Sequence, residues 1–327
     1  MDSSKKEFDL ISRYFQRSDN LRWDVKTGIG DDAAVVSPGE ASDVLITTDT
    51  MVAGVHFDES LSARAIGHKL VAVNLSDLAS MGAEPAWLSL ALTLPSVDEA
   101  WLEGFSQGFM DIAQYYNCDL IGGDVTRGPL TLTVTAHGLV PSGKSIHRSD
   151  AQPGDRIYVS GNLGDARAAL EIAQSNLEST KAHAEYFTEK LHFPTPQVAL
   201  GQALRGVATS AIDLSDGLIP DLRHMLAASE VGARIHLENL SASEALQATI
   251  PDLQQRLALQ CFAGDDYQLC FTVPESRRGS LETVCKQLGV QVSCIGVIDG
   301  EDGLYCYLDE EEIELPDNGF VHFGANS

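Results

Sequence analysis

Residues 28–36, GIGDDAAVV, fit the Gly-x-Gly-x-x-Ala spacing of a dinucleotide-binding turn, and whether they form one decides the fold. That motif needs a helix opening at its last small residue, so that the helix N-terminus faces a pyrophosphate. Here the chain runs on as AAVVSPGE, a strand-like piece stopped by Pro38-Gly39. Asp31 and Asp32 also set negative charge where phosphates would lie. The nucleotide-turn reading is therefore rejected, and the two carboxylates need another purpose.

A second phosphate motif lies downstream. GLVPSGKS, residues 138–145, matches Gly-x-x-x-x-Gly-Lys-Ser at every fixed position and follows a strand-like run, LTLTVTAH. Its lysine and serine must open a helix, yet IHRSDAQPGD follows and soon reaches Pro153-Gly154. Lys144 and Ser145 read as turn residues in a connector, residues 141–154, that is rich in Ser, Pro and Gly.

Around these points, strand-like and helix-like runs alternate. AAVV and DVLITTD precede a helical ARAIGHKLVAVNLSDLASMG, then come strand WLSLALTLP, a helix over 98–116, and strands CDLIGGD and LTLTVTAHGLV. Beyond the connector the pattern predicts strand DRIYVSG, helices, strand SAIDLS, helices over 218–229 and 275–288, strand YQLCFTV and closing strands. This is an α/β or α+β chain of two halves, divided as 1–148 and 149–327.

Composition narrows the function. With 47 acidic against 22 basic residues the net charge is −25, which repels nucleic acid and anionic membranes. No apolar run approaches the roughly 18 residues of a membrane span. The first residues, with Phe8, Ile11, Tyr14 and Phe15 at helical spacing, predict an amphipathic helix in a cytoplasmic protein. Six cysteines without a C-x-x-C pair read as free, mostly buried thiols.

One theme is left: aspartates at the ends of apolar strands. They are Asp31 and Asp32, Asp49 in LITTDTMVAGVHF, Asp77 in VNLSDLASMG, Asp124 in LIGGDVTRG, Asp213 and Asp216 in AIDLSDGL, and Asp265 and Asp266 in AGDDYQLCF. Taken singly, each is a cap or turn residue. Asp77 is the outlier, because it falls inside an apolar helical run where an unpaired carboxylate is costly. Carboxylates gathered from several strand ends coexist only with cations between them. Oxygen ligands without His or Cys select hard ions, Mg²⁺ first. The metal then holds the phosphates that GIGDD alone would repel.

At these residues the chain resembles the thiamine-monophosphate kinases, within the superfamily of aminoimidazole ribonucleotide synthetase and selenophosphate synthetase. The resemblance runs from GIGDDAAV to GFVHF through TTDTMVAGVHF, AVNLSDLASMGAEP, IGGDVTRGPL, SAIDLSDGL and GDDYQLCFT. It implies a two-domain α/β fold of the aminoimidazole ribonucleotide synthetase type, with N-terminal halves pairing through strands in a homodimer. The first half would bind ATP and metal, and the second would complete the active site. The implied reaction is ATP-dependent phosphorylation of thiamine monophosphate to thiamine diphosphate, the last step in making that compound. Several Mg²⁺ ions would be held by Asp32, Thr47, Thr48, Asp49, Asp77, Asp124, Asp213 and Asp216. ATP contacts fall on Gly123, Asp124, Arg148 and Ser215, and substrate contacts on His56, Asp265 and Phe320. The chain departs from the family at Gly264-Asp265-Asp266-Tyr267-Gln268, where Gly-Glu-Asp-Tyr-Glu is usual.

The nucleophile implied is a phosphate oxygen, already largely ionised because such second pKa values lie near 6. No general base is required, so the absence of a catalytic His or Cys motif fits. By position alone, His56 reads as a satisfied structural histidine, and Phe320 fits C-terminal packing and stacking on an aromatic ring equally well; the family match gives both a substrate role. Two alternatives stand: another ATP-using member of the superfamily, and a non-catalytic acidic cation-binding protein, which the lack of an EF-hand loop disfavours.

Overall fold

Period-two alternation in long β-branched runs builds a sheet in each half of the chain. The computed structural model describes residues 10–16, 21–58 and 61–313; Phe8 and Phe320 lie outside them. Two compact units emerge, Met1–Leu78 with Ala83–Gly143, and Ala79–Gly82 with Lys144–Ser327.

The first unit opens with a short helical turn over residues 10–14. A hairpin follows, β1 (Val25–Thr27) and β2 (Val35–Val36). Then come β3 (Ser42–Val52), helix α1 (Ala63–Ser80), β4 (Glu84–Leu94), helix α2 (Glu99–Tyr115), β5 (Asp119–Arg127) and β6 (Thr131–Pro141). The four long strands form one sheet in the order β3-β6-β4-β5, parallel only between β4 and β5. Its inner face carries Leu90, Leu92, Leu132, Val134 and Ala136, all buried. Helix α1 is buried almost all round, which is why ARAIGHKLVAVNLSDLAS shows no amphipathic stripe. Asp98 caps α2, accepting from the amides of Ala100 and Trp101.

The other sheet face is open away from the hairpin. It carries Thr48, Thr50, Thr133 and Thr135, with Ile46 64% exposed. At one end the hairpin covers it. Trp87 packs with Val25, Ala86 and Ile121, and its indole N–H donates to the buried Asp24 carboxylate, which Arg22 also grips. Burial pushes that carboxyl up, but the hydrogen bonds from Arg22 and Trp87 outweigh it and hold Asp24 below the usual range.

The second unit contains β7 (Arg156–Ser160), helices α3 (Asp165–Ala173), α4 (Lys181–His192) and α5 (Val198–Leu204), β8 (Ser210–Asp213), helix α6 (Leu218–Ser229) and β9 (Gly232–His236). Helices α7 (Glu244–Thr249) and α8 (Leu253–Phe262), β10 (Leu269–Val273), helix α9 (Arg278–Leu288), β11 (Val292–Asp299), β12 (Leu304–Leu308) and β13 (Glu311–Ile313) complete it. Seven strands pair in the order β13-β12-β9-β11-β7-β10-β8, antiparallel except for β9 with β12. The core of Ile157, Val159, Ile212, Leu222 and Ile235 lies under α6.

The expected mixed α/β fold is present, with two strands unforeseen, the three-residue β1 and β9. GARIH forms β9 between β12 and β11, and its five residues with a leading glycine give too little alternation to read. Of the six free cysteines four are buried, whereas Cys285 is half-buried and Cys294 exposed. Among the described residues no helix is long and apolar enough to cross a membrane.

Candidate active site

Both phosphate-loop decoys resolve locally. GIGDDAA is the connection of the β1–β2 hairpin and leads into no helix. Asp32 is exposed there, its amide donating to Asp31 Oδ1 at 2.8 Å. After β6, residues 142–150 are turn and coil apart from an isolated bridge between His147 and Ser210. Asp43 accepts from the Gly143 amide at 2.8 Å and from Ser142 Oγ at 3.0 Å, so a carboxylate already occupies this would-be phosphate cradle. Lys144→Ala is therefore expected to change kcat/KM less than threefold in a steady-state assay; a thousandfold loss would restore the phosphate-loop reading.

In the first unit the site starts from strand geometry. Successive residues of a strand point to opposite faces. Thr47 faces inward and its hydroxyl donates to Asp77 Oδ2 on α1, while the Thr48 hydroxyl pairs with that of Thr135 on the open face, 2.9 Å away. Asp49, two residues after Thr47, shares the inner face. Burial first, then the negative charge of Asp77, pushes its carboxyl up to about 6. Two carboxylates have thus been drawn together at the edge of a hydrophobic core.

Asp124 stands elsewhere. It lies on β5, three strands from β3, and in register with Ala91 on the open face. Strand spacing puts it roughly 14 Å from Asp49. Gly123 before it has φ +155, and a Cβ there would meet the Leu90 carbonyl oxygen at 1.9 Å, so only glycine fits. His56 occupies a tight turn after β3, its Nδ1 accepting from the Val52 amide at 3.1 Å. The neutral ring must then carry its proton on Nε2, which becomes the donor.

The second unit brings two acidic loops together. Asp213 ends β8 and is 6% exposed, Ser215 is exposed and Asp216 half-buried. Asp221, 3% exposed in the first turn of α6, accepts from the Asp216 amide at 3.0 Å. Burial pushes this carboxyl up to about 7, against the pull of the Asp216, Ser215 and Gly217 amides. Across from it runs the 264–268 loop. The Asp265 amide donates to Ser215 O at 3.0 Å, the Tyr267 amide to Leu214 O at 2.9 Å, and the Leu214 amide to Gln268 O at 2.8 Å. Gly264 lies so close that a Cβ would sit 2.0 Å from the Ser215 carbonyl oxygen.

Asp265 and Asp266 line a cavity of about 340 Å³ with Asp165, Tyr186, Lys190 and Gln268. Asp266 accepts from the Gly164 amide at the start of α3 at 2.9 Å, and burial raises its carboxyl well above the usual range. Asp165 accepts from Tyr186 and Ser243 hydroxyls at 2.9 and 2.6 Å. Arg148 is exposed, and its carbonyl accepts from Ser229 Oγ at 2.9 Å. Sequence reasoning singled out neither Asp165 nor Asp221. Both sit in the first turn of a helix, where an aspartate reads as a helix-start residue and nothing more.

Whether these residues suit divalent ions can be judged from the donor set. All are oxygens, and the Asp49–Asp77 repulsion is relieved by a cation. Among the described residues no three His, Cys, Asp or Glu side chains group closely enough to form a metal site alone. Any ion held here would take its remaining oxygens from hydroxyls such as Thr47 and from ligand phosphates. The pair also sets a pH dependence. A carboxyl whose folded pKa is raised from 3.8 to about 6 stabilises the fold only while it stays protonated. Stability is then lost as pH rises from about 4 to about 6. In EDTA, melting of the wild type should fall over that range by several degrees more than melting of Asp49→Asn, and Mg²⁺ should remove the difference. Parallel curves for the two proteins would refute the pairing.

Each unit carries its own acidic, all-oxygen loops, and the comparison with known families gives the class. Residues 30–140 match the AIR synthase related protein, N-terminal domain, and residues 152–309 the C-terminal domain. The chain is 50% identical to the thiamine-monophosphate kinase of Escherichia coli (strain K12) over 322 residues, 98% of either chain. The crystal structure of thiamine-monophosphate kinase from Stenotrophomonas maltophilia K279a matches with TM-score 0.83 and 43% identity, covering 89% of this chain and 93% of that one. AaThiL complexed with AMPPCP and TMP matches with TM-score 0.77 and 27% identity over 99% of both chains. The chain belongs to the thiamine-monophosphate kinase family.

Proposed function

We propose that this chain transfers the γ-phosphoryl group of ATP directly to the phosphate of thiamine monophosphate, in line, giving thiamine diphosphate and ADP in the cytoplasm. The observation that carries the reading is the Asp49–Asp77 pair, two carboxylates held side by side with Thr47 and needing a cation. Asp49, Asp77 and Thr47 hold one Mg²⁺. Thr48, Asp124, Asp32, Asp213 and Asp216 complete the proposed ligand set. Bound Mg²⁺ supplies charge neutralisation for the two anionic reactants.

The chain's own groups bind and orient. Gly123 and Ser215 contact ATP, and Arg148 adds a positive charge that persists at any working pH. His56 offers Nε2–H to the substrate and Asp265 accepts from it, with Phe320 against its ring. No side chain has to remove a proton, because the attacking phosphate oxygen is already ionised. A coupled ADP-release assay with thiamine monophosphate and Mg²⁺, against thiamine as control, should give turnover with the phosphate ester only. Equal turnover with thiamine, or none with either, would refute the proposal.

The working unit is a homodimer joined through the first unit's strands. Strand β3 is an eleven-residue edge with Val44 40% and Ile46 64% exposed beside threonines, the kind of surface that another copy covers. Ile46→Asp is expected to shift the sedimenting species to monomer at micromolar concentration. An unchanged dimer would place the interface elsewhere.

A further inference from the structure

The 264–268 loop is held in a costly shape. Asp265 has φ +71 and Tyr267 φ +48, both left-handed and neither glycine. Each costs on the order of 1 kcal/mol. The strain coincides with a short-range contact: the Tyr267 hydroxyl donates back to Asp265 Oδ1 at 2.9 Å. The Tyr267 ring is 8% exposed and its amide is bonded to Leu214 O, so phenylalanine would fill the same volume and keep the same backbone tie. The hydroxyl is thus spent on orienting a half-buried carboxylate at the wall of the 340 Å³ cavity. Asp265, one methylene shorter than the family's usual glutamate, has less reach, and a fixed rotamer matters more for it.

We infer that Tyr267 is a positioning residue that sets substrate affinity by locking the Asp265 carboxylate toward an amino-bearing ring in this cavity. The inference rests on the substrate role proposed for Asp265. Aligning one charge-assisted hydrogen bond is worth about tenfold in affinity. Steady-state constants for Tyr267→Phe, Asp265→Ala and the double variant test it in the otherwise intact enzyme. Tyr267→Phe should raise KM for thiamine monophosphate about tenfold, with kcat and KM for ATP within twofold of wild type. Asp265→Ala should raise the same KM at least as much, and the double variant no further, the mark of a hydroxyl that acts through that carboxylate. If Asp265→Ala raises KM and Tyr267→Phe does not, the positioning role is wrong and the Asp265 contact stands. If Asp265→Ala leaves KM unchanged, the contact itself is wrong, and the inference falls with it. A rise in KM for ATP alongside, or additive effects in the double variant, would mark the hydroxyl as merely structural and overturn the inference.

Discussion

Asp77→Ala is expected to lower kcat by about a thousandfold or more while leaving a folded protein. The size follows from what the carboxylate does. Charge stabilisation by a metal is worth several kcal/mol in the transition state, and about 4 kcal/mol is a factor of a thousand. Asp77 lies against Asp49 and takes the Thr47 hydroxyl, so removing it disturbs the surroundings of two proposed ligands at once. The fold should survive, and even gain, because the variant removes a carboxylate from a helix that is buried almost all round. Loss of turnover through unfolding would instead lower the melting temperature. Opposite signs for activity and apo stability are the signature sought. Asp49→Asn should behave alike, with the Mg²⁺-induced rise in melting temperature reduced in both variants. Activity within tenfold of wild type in either would remove these residues from the metal site.

The same two aspartates show what a sequence can disclose. Asp77 was legible because it is the one acidic residue of a helix buried almost all round, and desolvation makes a carboxylate there improbable without purpose. Thr47, Thr48 and Asp49 could be listed but not sorted, since their faces depend on which side of the strand the helix packs. That is settled by tertiary pairing, not by the string TTD. Asp124 is the clearer case: only the order β3-β6-β4-β5 and the register with Ala91 separate it from Asp49. Asp265 and Asp266 are adjacent and alike in sequence and both line the cavity, yet one takes the Tyr267 hydroxyl and the other ties the start of α3. Local pattern cannot divide those tasks, because the second depends on a helix start a hundred residues away.

Gly264→Ala tests the junction between the two acidic loops, and a large loss is expected there too. An added Cβ would lie 2.0 Å from the Ser215 carbonyl oxygen and 2.9 Å from its carbonyl carbon, both backbone atoms that no rotamer change can clear. One strand end must retreat by more than 1 Å to reach van der Waals contact. Retreat breaks the Asp265–Ser215 and Tyr267–Leu214 bonds that fix the loops to each other. Asp213, Ser215 and Asp216 then move relative to Asp265, and misplacement by about 1 Å costs roughly a hundredfold in rate. Overpacking adds a stability loss on the order of 2–3 kcal/mol. Gly279→Ala is the matched control: it has no atom within 4 Å of the new methyl and lies in α9, where alanine should leave activity intact and stability equal or higher. If both variants keep wild-type kcat/KM and melting temperature, the loops are not coupled through this contact. A loss in Gly264→Ala alone would tie the rate to the spacing of two carbonyl-to-amide bonds rather than to any charged group.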